Sequence, residues 1–485
     1  MKKKYKYESI PPDLESLDIR HLQNKTPRNM LISYDIDHFK TLEKNAQNKM
    51  LTAVCEKTIQ LAIDFFSRLI KIIPKSEPNM RYKQSHKCGE VTVPQKDIIQ
   101  GKRSDLHIYV QYKIEPEEEY QAYAGWCQFL DVLGPTHGQV VFNLGQLKSQ
   151  NISNPIEFED LMEIVIHEII HILGFMGTDI PKWVNKQKIH HRDPTIQKQI
   201  RGINTLLIKT PNVLEHARKY FGCPTLIGMP LEYSDDKQST NSHWRNSDIQ
   251  NEYMNTFVSP TQAYFSAFTT NLLRDTGFYF EINASMEEQT FFGQGAGCDH
   301  VLGKCDKPTN EYCNPQTDND LCDYYHHGQS ACYQESGCNV LVNYSNGNCW
   351  DTNSNQNTIE VQQNKGAKFG FNSRCFNGNL LVKSSKPNKQ NQKIEGNCYE
   401  YECDSKRQQL TIWVGKIKKV CKNNLDKLEF EGYQGYIQCP KNISEFCSFK
   451  KLCPGFCSGN GYCLKNTCNC ADEYAGNDCS IEKNR

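Results

Sequence analysis

Hydrophobic and polar positions alternate, or recur at helical spacing, along most of the first 290 residues. Alternation over four to eight residues predicts a strand, and apolar residues three and four positions apart predict a helix. The elements predicted in this way are a strand at 29–37, a helix at 50–73, strands at 105–112 (DLHIYVQY) and 138–144 (GQVVFNL), a long helix from 154, a polar stretch from about 180 to 250, and a helix that opens at Ser259-Pro260-Thr261-Gln262 and ends near Gly277. This order predicts a domain with helices and strands over residues 29–290.

The long helix is marked at both ends by residues that favour helix termini. Asn154 is followed by Pro155 and then by Glu157, which is the pattern of an N-cap, a proline in the first turn and a capping box. Gly174 follows Leu173 and is suited to end the helix. The apolar side chains between these ends fall on one stripe, formed by Phe158, Leu161, Val165, Ile169 and Ile172. We therefore predict a helix of about 20 residues whose apolar face is buried.

Within this helix the sequence His167-Glu168-Ile169-Ile170-His171 predicts a metal site. Residues four apart lie one turn above each other, so His167 and His171 project side by side and both imidazoles reach one ion. Glu168 is rotated by about 100° from His167. Its carboxylate is therefore badly placed as a ligand but well placed to take a proton from a water on the metal. Zinc suits this arrangement because it accepts neutral imidazoles and keeps an open position for water.

A third ligand must come from elsewhere in the chain. Gly177 stands where a compact HExxHxxGxxH site would carry its third histidine. The downstream candidates are His190, His191, His216, His243, His300, His326 and His327. His243 differs from the others because Trp244 is beside it, Met254 is eleven residues further on, and a capped helix follows.

The length of the chain limits the number of its domains, and its net charge limits the classes of partner. A chain of 485 residues suggests about two to four domains. The 56 basic and 56 acidic side chains cancel, which leaves no global argument for nucleic acid as a partner. No apolar run is long enough to span a bilayer. The N-terminal sequence MKKKYKYESI has no apolar core of a signal peptide and the C-terminus has no lipid-anchor tail, so we expect a mature or N-terminally incomplete form, or another export route.

The cysteines indicate an oxidising compartment. The chain has 23 cysteines, of which 19 lie between Cys298 and Cys479 in sequence rich in loops. Zinc knuckles would need paired CxxC or CxxH ligand sets, which this region lacks. We predict disulfides and an extracellular or cell-surface location. In the first domain we expect Cys88 to pair with Cys127, because this pairing leaves the domain self-contained.

Six cysteines near the C-terminus resemble those of an EGF-like module. They are Cys453, Cys457, Cys463, Cys468, Cys470 and Cys479, with glycines at turn positions between them. Spacing alone allows about 15 connectivities. The resemblance implies the pairs 453–463, 457–468 and 470–479. We expect a separately folded unit. Its removal should leave activity on a small substrate unchanged and reduce attachment to a cell surface or a large substrate.

Most of the chain before the last six cysteines resembles leishmanolysin, a metzincin family of surface zinc peptidases. The resemblance rests on HEIIHILGF, an insertion of about 70 residues, then SHW followed by YM, and on the run GQGAGCDHVLGKC; it covers roughly residues 29–440. It implies His243 as the third zinc ligand, Met254 in the turn beneath the metal, and Gly174 as the glycine after the second histidine. The chain has no cysteine before Cys55 that could serve as the family's inhibitory pro-segment cysteine.

We therefore predict an α+β chain with a metzincin-like zinc peptidase domain. The predicted segments are an N-terminal arm (1–28), the catalytic domain (29–290), a cysteine-rich C-terminal domain (291–450) and an EGF-like module (451–481). The predicted activity is zinc-dependent endopeptidase, with one Zn²⁺ per chain and Glu168 as general base. The resemblance implies that residues 138–144 form the edge strand on which an extended peptide substrate lies. One alternative is that residues 138–144 form an internal core strand, and another is a zinc hydrolase acting on non-peptide amides. A third is an adhesive or receptor-binding surface protein whose main activity lies in the cysteine-rich and EGF-like regions, with a cell-surface ligand bound through the EGF-like module. A role in cell adhesion is also compatible with the peptidase activity.

Overall fold

A computed structural model describes residues 26–74, 80–84, 86–150, 152–233, 241–256, 263–305, 309, 311–383 and 393–483. The chain forms two compact units. The first comprises Met1–Thr290, Gln294–Val301 and Leu452–Arg485; the second comprises Phe291–Gly293 and Leu302–Lys451. The predicted arm at 1–28 and the predicted helix start at 259–262 lie almost wholly outside the described residues.

The first unit mixes helices and strands, as predicted. Up to and including α4, the helix that carries His167 and His171 and is here called the metal helix, its elements are β1 (Arg28–Asn29), β2 (Ile32–Asp35), α1 (Ala46–Leu69), β3 (Ile70–Ile72), β4 (Lys87–Cys88), β5 (Val91–Thr92), α2 (Gln95–Ile99), β6 (Leu106–Lys113), β7 (Ala122–Leu130), β8 (Gly134–Asn143), α3 (Leu144–Leu147) and α4 (Pro155–Ile172). After it come β9 (Thr195–Ile200), β10 (Ile203–Ile208), α5 (Pro211–Phe221), β11 (Met229–Pro230), α6 (Ala267–Thr276), β12 (Glu281–Ile282) and α7 (Cys298–Leu302).

The central sheet has the strand order β2-β6-β8-β7. β2 and β8 both run parallel to β6, while β7 runs antiparallel to β8, with Ala124 opposite Val140. β8 covers the segment predicted as the substrate edge strand, but it lies between β6 and β7. That prediction is wrong, and the internal-strand alternative holds; β7 is the terminal strand next to β8, and β2 is the terminal strand at the opposite edge. The cause is that an apolar strand buried on both faces has the same pattern at an edge and inside a sheet.

The hydrophobic core lies between this sheet and the helices α1 and α4. α4 packs against β7 and β8, and α1 packs against α4. Gly138 on β8 permits close approach, because a Cβ there would lie 2.8 Å from the Ile172 side chain of α4. α4 is buried along most of its length rather than on one stripe alone. Cys55 of α1 is fully buried in this core and keeps a free thiol.

The polar stretch from 180 to 250 is more ordered than its sequence suggests. It contains the sheet β9-β10-β11 and the helix α5. α5 packs against α6, which begins at Ala267 with Ser266 as its N-cap and ends at Thr276, before Gly277. The helix predicted to open at Ser259 therefore starts later than expected, because residues 263–266 are not helical. Cys223, next to α5, is bonded to Cys298. This disulfide crosses the predicted domain boundary at 290, and it explains why residues 294–301 belong to the first unit.

The second unit is a disulfide-rich β structure. Its elements are β13 (Gly328–Glu335), β14 (Cys338–Asn348), α8 (Ile359–Lys365), β15 (Ser373–Gly378), β16 (Leu381–Val382), β17 (Glu395–Cys403), β18 (Leu410–Val414), β19 (Ile417–Cys421), β20 (Lys427–Leu428), β21 (Tyr433–Gln434), β22 (Ile437–Gln438) and α9 (Ile443–Phe446). Six strands form one sheet in the order β19-β18-β17-β15-β22-β20, and β13 pairs with β14. Its disulfides are 305–338, 313–332, 322–375, 349–398, 403–447 and 421–439.

The C-terminal residues 452–483, here called the terminal module, form two short hairpins. Their strands are β23 (Gly461–Leu464), β24 (Thr467–Cys470), β25 (Tyr474–Ala475) and β26 (Ile481–Glu482). Its disulfides are 453–463, 457–468 and 470–479, the pairs that the EGF-like resemblance implies. The terminal module packs into the first unit instead of standing apart from it. No helix within the described ranges is both long and apolar enough to cross a membrane.

Candidate metal centre

The metal helix begins and ends as its sequence predicts. The Asn154 side chain accepts a hydrogen bond from the Ile156 N–H, and Pro155 occupies the first turn. The helix ends at Ile172, and Gly174 then takes a positive φ of 121°, which a residue with a Cβ adopts only with strain. This turn brings the Phe175 carbonyl back to the helix, where it lies 2.7 Å from His171 Nδ1.

Three histidines converge on one point. His167 Nε2 lies 3.0 Å from His171 Nε2 and 3.2 Å from His243 Nε2. In the part of the chain that the structure describes, these three form a group able to hold a metal ion; the other such group consists of cysteines already joined in disulfides. All three imidazoles are buried, with at most 4% of the residue surface exposed.

The hydrogen bonds of His167 and His171 favour the tautomer in which Nε2 can bind a metal. Backbone carbonyls accept from Nδ1 in two cases: Tyr253 O lies 2.6 Å from His167 Nδ1, and Phe175 O lies 2.7 Å from His171 Nδ1. A proton on Nδ1 fixes the tautomer in which Nε2 carries a lone pair. Lone pairs 3.0 Å apart repel each other unless a cation lies between them. Tetrahedral zinc with bonds of about 2.0–2.1 Å would space its nitrogens by roughly 3.3 Å, close to the distances observed.

Burial keeps His171 neutral. Desolvation lowers the pKa of His171 to about 4, although its hydrogen bond to the Phe175 carbonyl acts in the opposite direction. A neutral imidazole at physiological pH is the form that binds a metal.

Glu168 is fully buried and lies on α4 between His167 and His171 in the sequence. Its Oε2 accepts a hydrogen bond of 2.9 Å from the Ala124 N–H on β7. The carboxylate is thus held between the metal helix and the terminal strand of the sheet. Gly125, the next residue on β7, has open space where a side chain would begin.

The loop that carries His243 is tied down on both sides. The His243 carbonyl accepts from the Glu232 N–H at 2.9 Å, and the Trp244 N–H donates to the Met254 carbonyl at 3.0 Å. Arg245 and Asp248, both buried, form an ion pair of 2.6 Å within the same loop. Met254 is fully buried in the turn whose neighbouring carbonyl, that of Tyr253, orients His167.

The other candidate histidines lie elsewhere. His190 faces Asp131, His191 bonds to the Asp275 carbonyl, His216 packs on Phe268 and His300 bonds to the Asp248 carbonyl, while His326 and His327 lie in the second unit. Of these, the structure brings none to the pair on α4.

Sequence reasoning missed Glu252, which supports the Met254 turn. It is fully buried and accepts hydrogen bonds from the Met254 N–H (2.5 Å), the Ser266 hydroxyl (2.8 Å) and the Thr269 hydroxyl (2.6 Å). Burial raises the pKa of Glu252 to about 7, although these hydrogen bonds lower it. Its place two residues before Met254 in NEYMN was the one available signal, and its partners are set by the fold.

Comparison with known proteins agrees with the sequence resemblance. The leishmanolysin family model matches residues 40–333 and 302–451. The "Ciliated left-right organizer metallopeptidase" of Xenopus laevis is 25% identical over 410 residues, which is 77% of this chain and 53% of that protein. "Leishmanolysin" of Leishmania major is 25% identical over 402 residues (74% and 62%), and the "Leishmanolysin-like peptidase" of Drosophila melanogaster is 29% identical over 217 residues (38% and 31%).

The chain thus spans about half the length of the curated relatives that it matches. The family match nevertheless covers both the metal helix and the cysteine-rich segment that follows. Together with the three converging histidines, it gives the chain a place in a family: it belongs to the leishmanolysin peptidases.

Proposed function

We propose that this protein is a zinc-dependent endopeptidase. The observation that carries the proposal is the convergence of His167, His171 and His243, whose Nε2 atoms lie within 4.8 Å of one another beside a buried glutamate. Two of these imidazoles are oriented through Nδ1 by backbone carbonyls, which suits them to bind a metal through Nε2. Membership of a peptidase family makes hydrolysis of peptide bonds the favoured reaction over that of non-peptide amides.

Glu168 is the proposed general base. When bound, zinc polarises a substrate carbonyl and lowers the pKa of water. Glu168 follows His167 directly on α4, so its carboxylate can take a proton from the attacking water and pass it to the leaving amine. The Ala124 N–H stabilises the charged form of this carboxylate and fixes its position. No protein nucleophile is required.

The proposed substrate is a protein or peptide segment in extended conformation along β7. β7 is the terminal strand of the central sheet, and its Ala124 N–H already touches the proposed base. An extended peptide that pairs with a terminal strand gains affinity from main-chain hydrogen bonds, with little demand on its sequence. The space above Gly125 leaves room for a substrate side chain.

We place the protein outside the cell or at its surface. All 23 cysteines lie in described residues; eleven disulfides use 22 of them, and such a number persists in an oxidising environment. The terminal module has the cysteine pairing of an EGF-like unit, but none of its described features favours the adhesive function that the sequence left open. We therefore propose the peptidase function alone.

The test combines metal analysis with hydrolysis of casein. Purified protein should contain about one zinc per chain and cleave casein, lose activity in a chelator, and regain it when zinc is added back. Protein that holds zinc and still cleaves neither casein nor short peptides would contradict the proposal and favour the adhesive alternative.

A further inference from the structure

The terminal module packs against the helix that carries two of the histidines. We propose that it fixes α4 in place, through Glu159 as a positioning residue, so that retention of zinc by His167 and His171 depends on it. This inference rests on the proposed zinc site. It replaces the expectation, drawn from the sequence, that removal of the module leaves hydrolysis of a short peptide unchanged.

The apolar side of this contact belongs to the main core of the first unit. Tyr462 and Leu464 on β23 are buried, with 1% and 8% of their surface exposed, and both lie in the same hydrophobic cluster as α1 and α4. The Tyr462 ring meets Phe65 of α1 edge to face, with centroids 5.4 Å apart. The module's remaining apolar cluster consists mostly of its own cysteines. The module therefore has almost no apolar core of its own, and its Tyr462 and Leu464 are part of the core of the first unit.

The polar side of the contact reaches α4 directly. The Cys463 N–H donates to Glu159 Oε1 at 2.9 Å, in a buried hydrogen bond. Glu159 is 2% exposed and lies eight residues, or about two helical turns, before His167. The Cys463 N–H can hold the Glu159 carboxyl whether that group is ionised or neutral. Movement of the module and movement of α4 are therefore coupled.

A second carboxylate links the module to the Met254 turn. Glu288 Oε1 accepts from the Lys465 N–H at 2.8 Å, and its Oε2 accepts from the Phe265 N–H at 2.9 Å. The preceding residue, Tyr264, pairs through its carbonyl with the Tyr253 N–H at 3.0 Å. The Tyr253 carbonyl in turn orients His167. The module therefore contacts the helix of His167 directly, and it is linked to the turn that fixes the His167 ring through Glu288 and residues 264–265.

Contacts at the surface hold the module on α1. Lys57 Nζ donates to the Gly459 carbonyl (3.2 Å) and to Asn460 Oδ1 (2.9 Å), and the Tyr462 hydroxyl donates to Asp64 Oδ2 (3.2 Å). Together with the contacts of Glu159 and Glu288, they spread the attachment over α1, α4 and the segment after α6.

The experiment compares Glu159→Ala with Glu159→Gln. Alanine removes the acceptor for the Cys463 N–H, whereas glutamine keeps an oxygen at the same place and should restore the bond. Glu482→Ala is the matched control, since Glu482 is exposed on β26 of the same module. Two quantities are measured at a temperature at which circular dichroism shows the full-length protein folded: the rate of zinc release to a chelator, and hydrogen exchange of the peptide that covers Pro155–Ile172 in metal-free protein.

We expect Glu159→Ala to speed both zinc release and exchange by about ten-fold, the factor that a lost buried hydrogen bond carries. Glu159→Gln and Glu482→Ala should stay within about two-fold of the wild type. Equal rates for Glu159→Ala and wild type overturn the inference, even if the melting temperature falls. An equal acceleration of exchange in α1 and α4 with unchanged zinc release also overturns it, because that is the result expected of a contact that only stabilises the whole fold. Wild-type protein that binds no zinc would instead sink the proposed function, and exchange of α4 would still decide the role of the module.

Should Glu159→Ala fail to fold, Lys57→Ala is measured in the same way. It removes the two hydrogen bonds from α1 to the module without opening the core. We expect a smaller acceleration of about three-fold in both rates, and no acceleration would overturn the inference.

Discussion

At the scale of single residues, the roles of Glu168 and the three histidines can be separated by substitution. Glu168→Ala should keep its zinc, because all three imidazoles remain, while kcat for a peptide substrate falls by about 10²-fold or more with the loss of the base. The measurement is kcat at full zinc occupancy, with Glu482→Ala as the control. Near-normal turnover in a zinc-replete Glu168→Ala protein would remove the mechanism.

His243→Ala should lose its zinc. Two histidines from α4 leave the ion without a third protein ligand, so metal content after dialysis should fall far below one per chain. His190→Ala and His191→Ala serve as controls, because these side chains face Asp131 and the Asp275 carbonyl instead. If either control empties the site while His243→Ala does not, the ligand assignment is wrong.

Glu252 makes stability depend on pH in a direction that can be worked out. Its pKa in the folded protein is raised from 4.5 to about 7, so the folded state holds a proton that the unfolded state releases. Its contribution is therefore fully present below the lower value and is lost as pH rises through about 7, by about 1.4 kcal/mol for each pH unit in between. In urea unfolding of metal-free protein, the free energy of unfolding of wild type minus that of Glu252→Gln should become lower as pH rises across this window. A value that is constant or becomes higher with pH would contradict the assignment.

The residues of the site were predictable to the extent that their spacing carries the chemistry. His167, Glu168 and His171 follow from the geometry of one helix, and His243 needed the family resemblance because 71 residues separate it from His171. Glu252 could not be predicted. Its role comes from hydrogen bonds to Ser266 and Thr269, which only the folded chain brings to it.

At the scale of elements, the disulfide between Cys88 and Cys127 ties the hairpin β4–β5 to β7. Closing a loop with a sequence separation of 39 should stabilise the first unit by about 3–4 kcal/mol in the chain-entropy model. The double variant Cys88→Ser/Cys127→Ser should lose this free energy of unfolding. Because β7 is the proposed substrate strand, the fold-increase in KM should exceed the fold-decrease in zinc content.

A matched pair in the second unit provides the control for that variant. Cys421→Ser/Cys439→Ser removes a disulfide with a sequence separation of 18 and should leave KM unchanged. An unchanged unfolding transition and KM in the Cys88/Cys127 variant would show that the disulfide is dispensable.

The elements that the sequence predicted best are those with strong end signals. α4 was predicted almost to its observed ends because Asn154, Pro155 and Gly174 mark them. β7 was not predicted at all, since AYAGWCQFL is buried along its whole length and shows no alternation. The failure over β7 and the wrong edge assignment for β8 have one cause: strand order is set by pairing, which a single strand's sequence does not show.

At the scale of the whole molecule, the sequence predicted the kinds of structure but not how they are grouped. The density of cysteines predicted a disulfide-rich region, and the disulfides of the second unit confirm this prediction. The grouping of the terminal module with the catalytic core depends on Tyr462 and Leu464, two apolar residues inside a pattern dominated by cysteines and glycines. The composition of the terminal module suggested that it folds separately from the catalytic domain. Only a few of its side chains, chiefly Tyr462 and Leu464, show that it does not.

Cys55 offers a way to follow opening of the first unit without adding a probe. It is the one cysteine of 23 outside a disulfide, it is fully buried on α1, and burial raises the pKa of its thiol, so a thiol reagent has one target and no access to it in the closed state. The rate of labelling at low reagent concentration, relative to that of unfolded chain with its disulfides intact, then gives the free energy of the opening that exposes α1. We expect labelling of native protein to be slower by at least about 10³-fold. Labelling at a comparable rate would mean that the interface between α1 and α4, the helix that carries His167 and His171, opens in the native protein on its own.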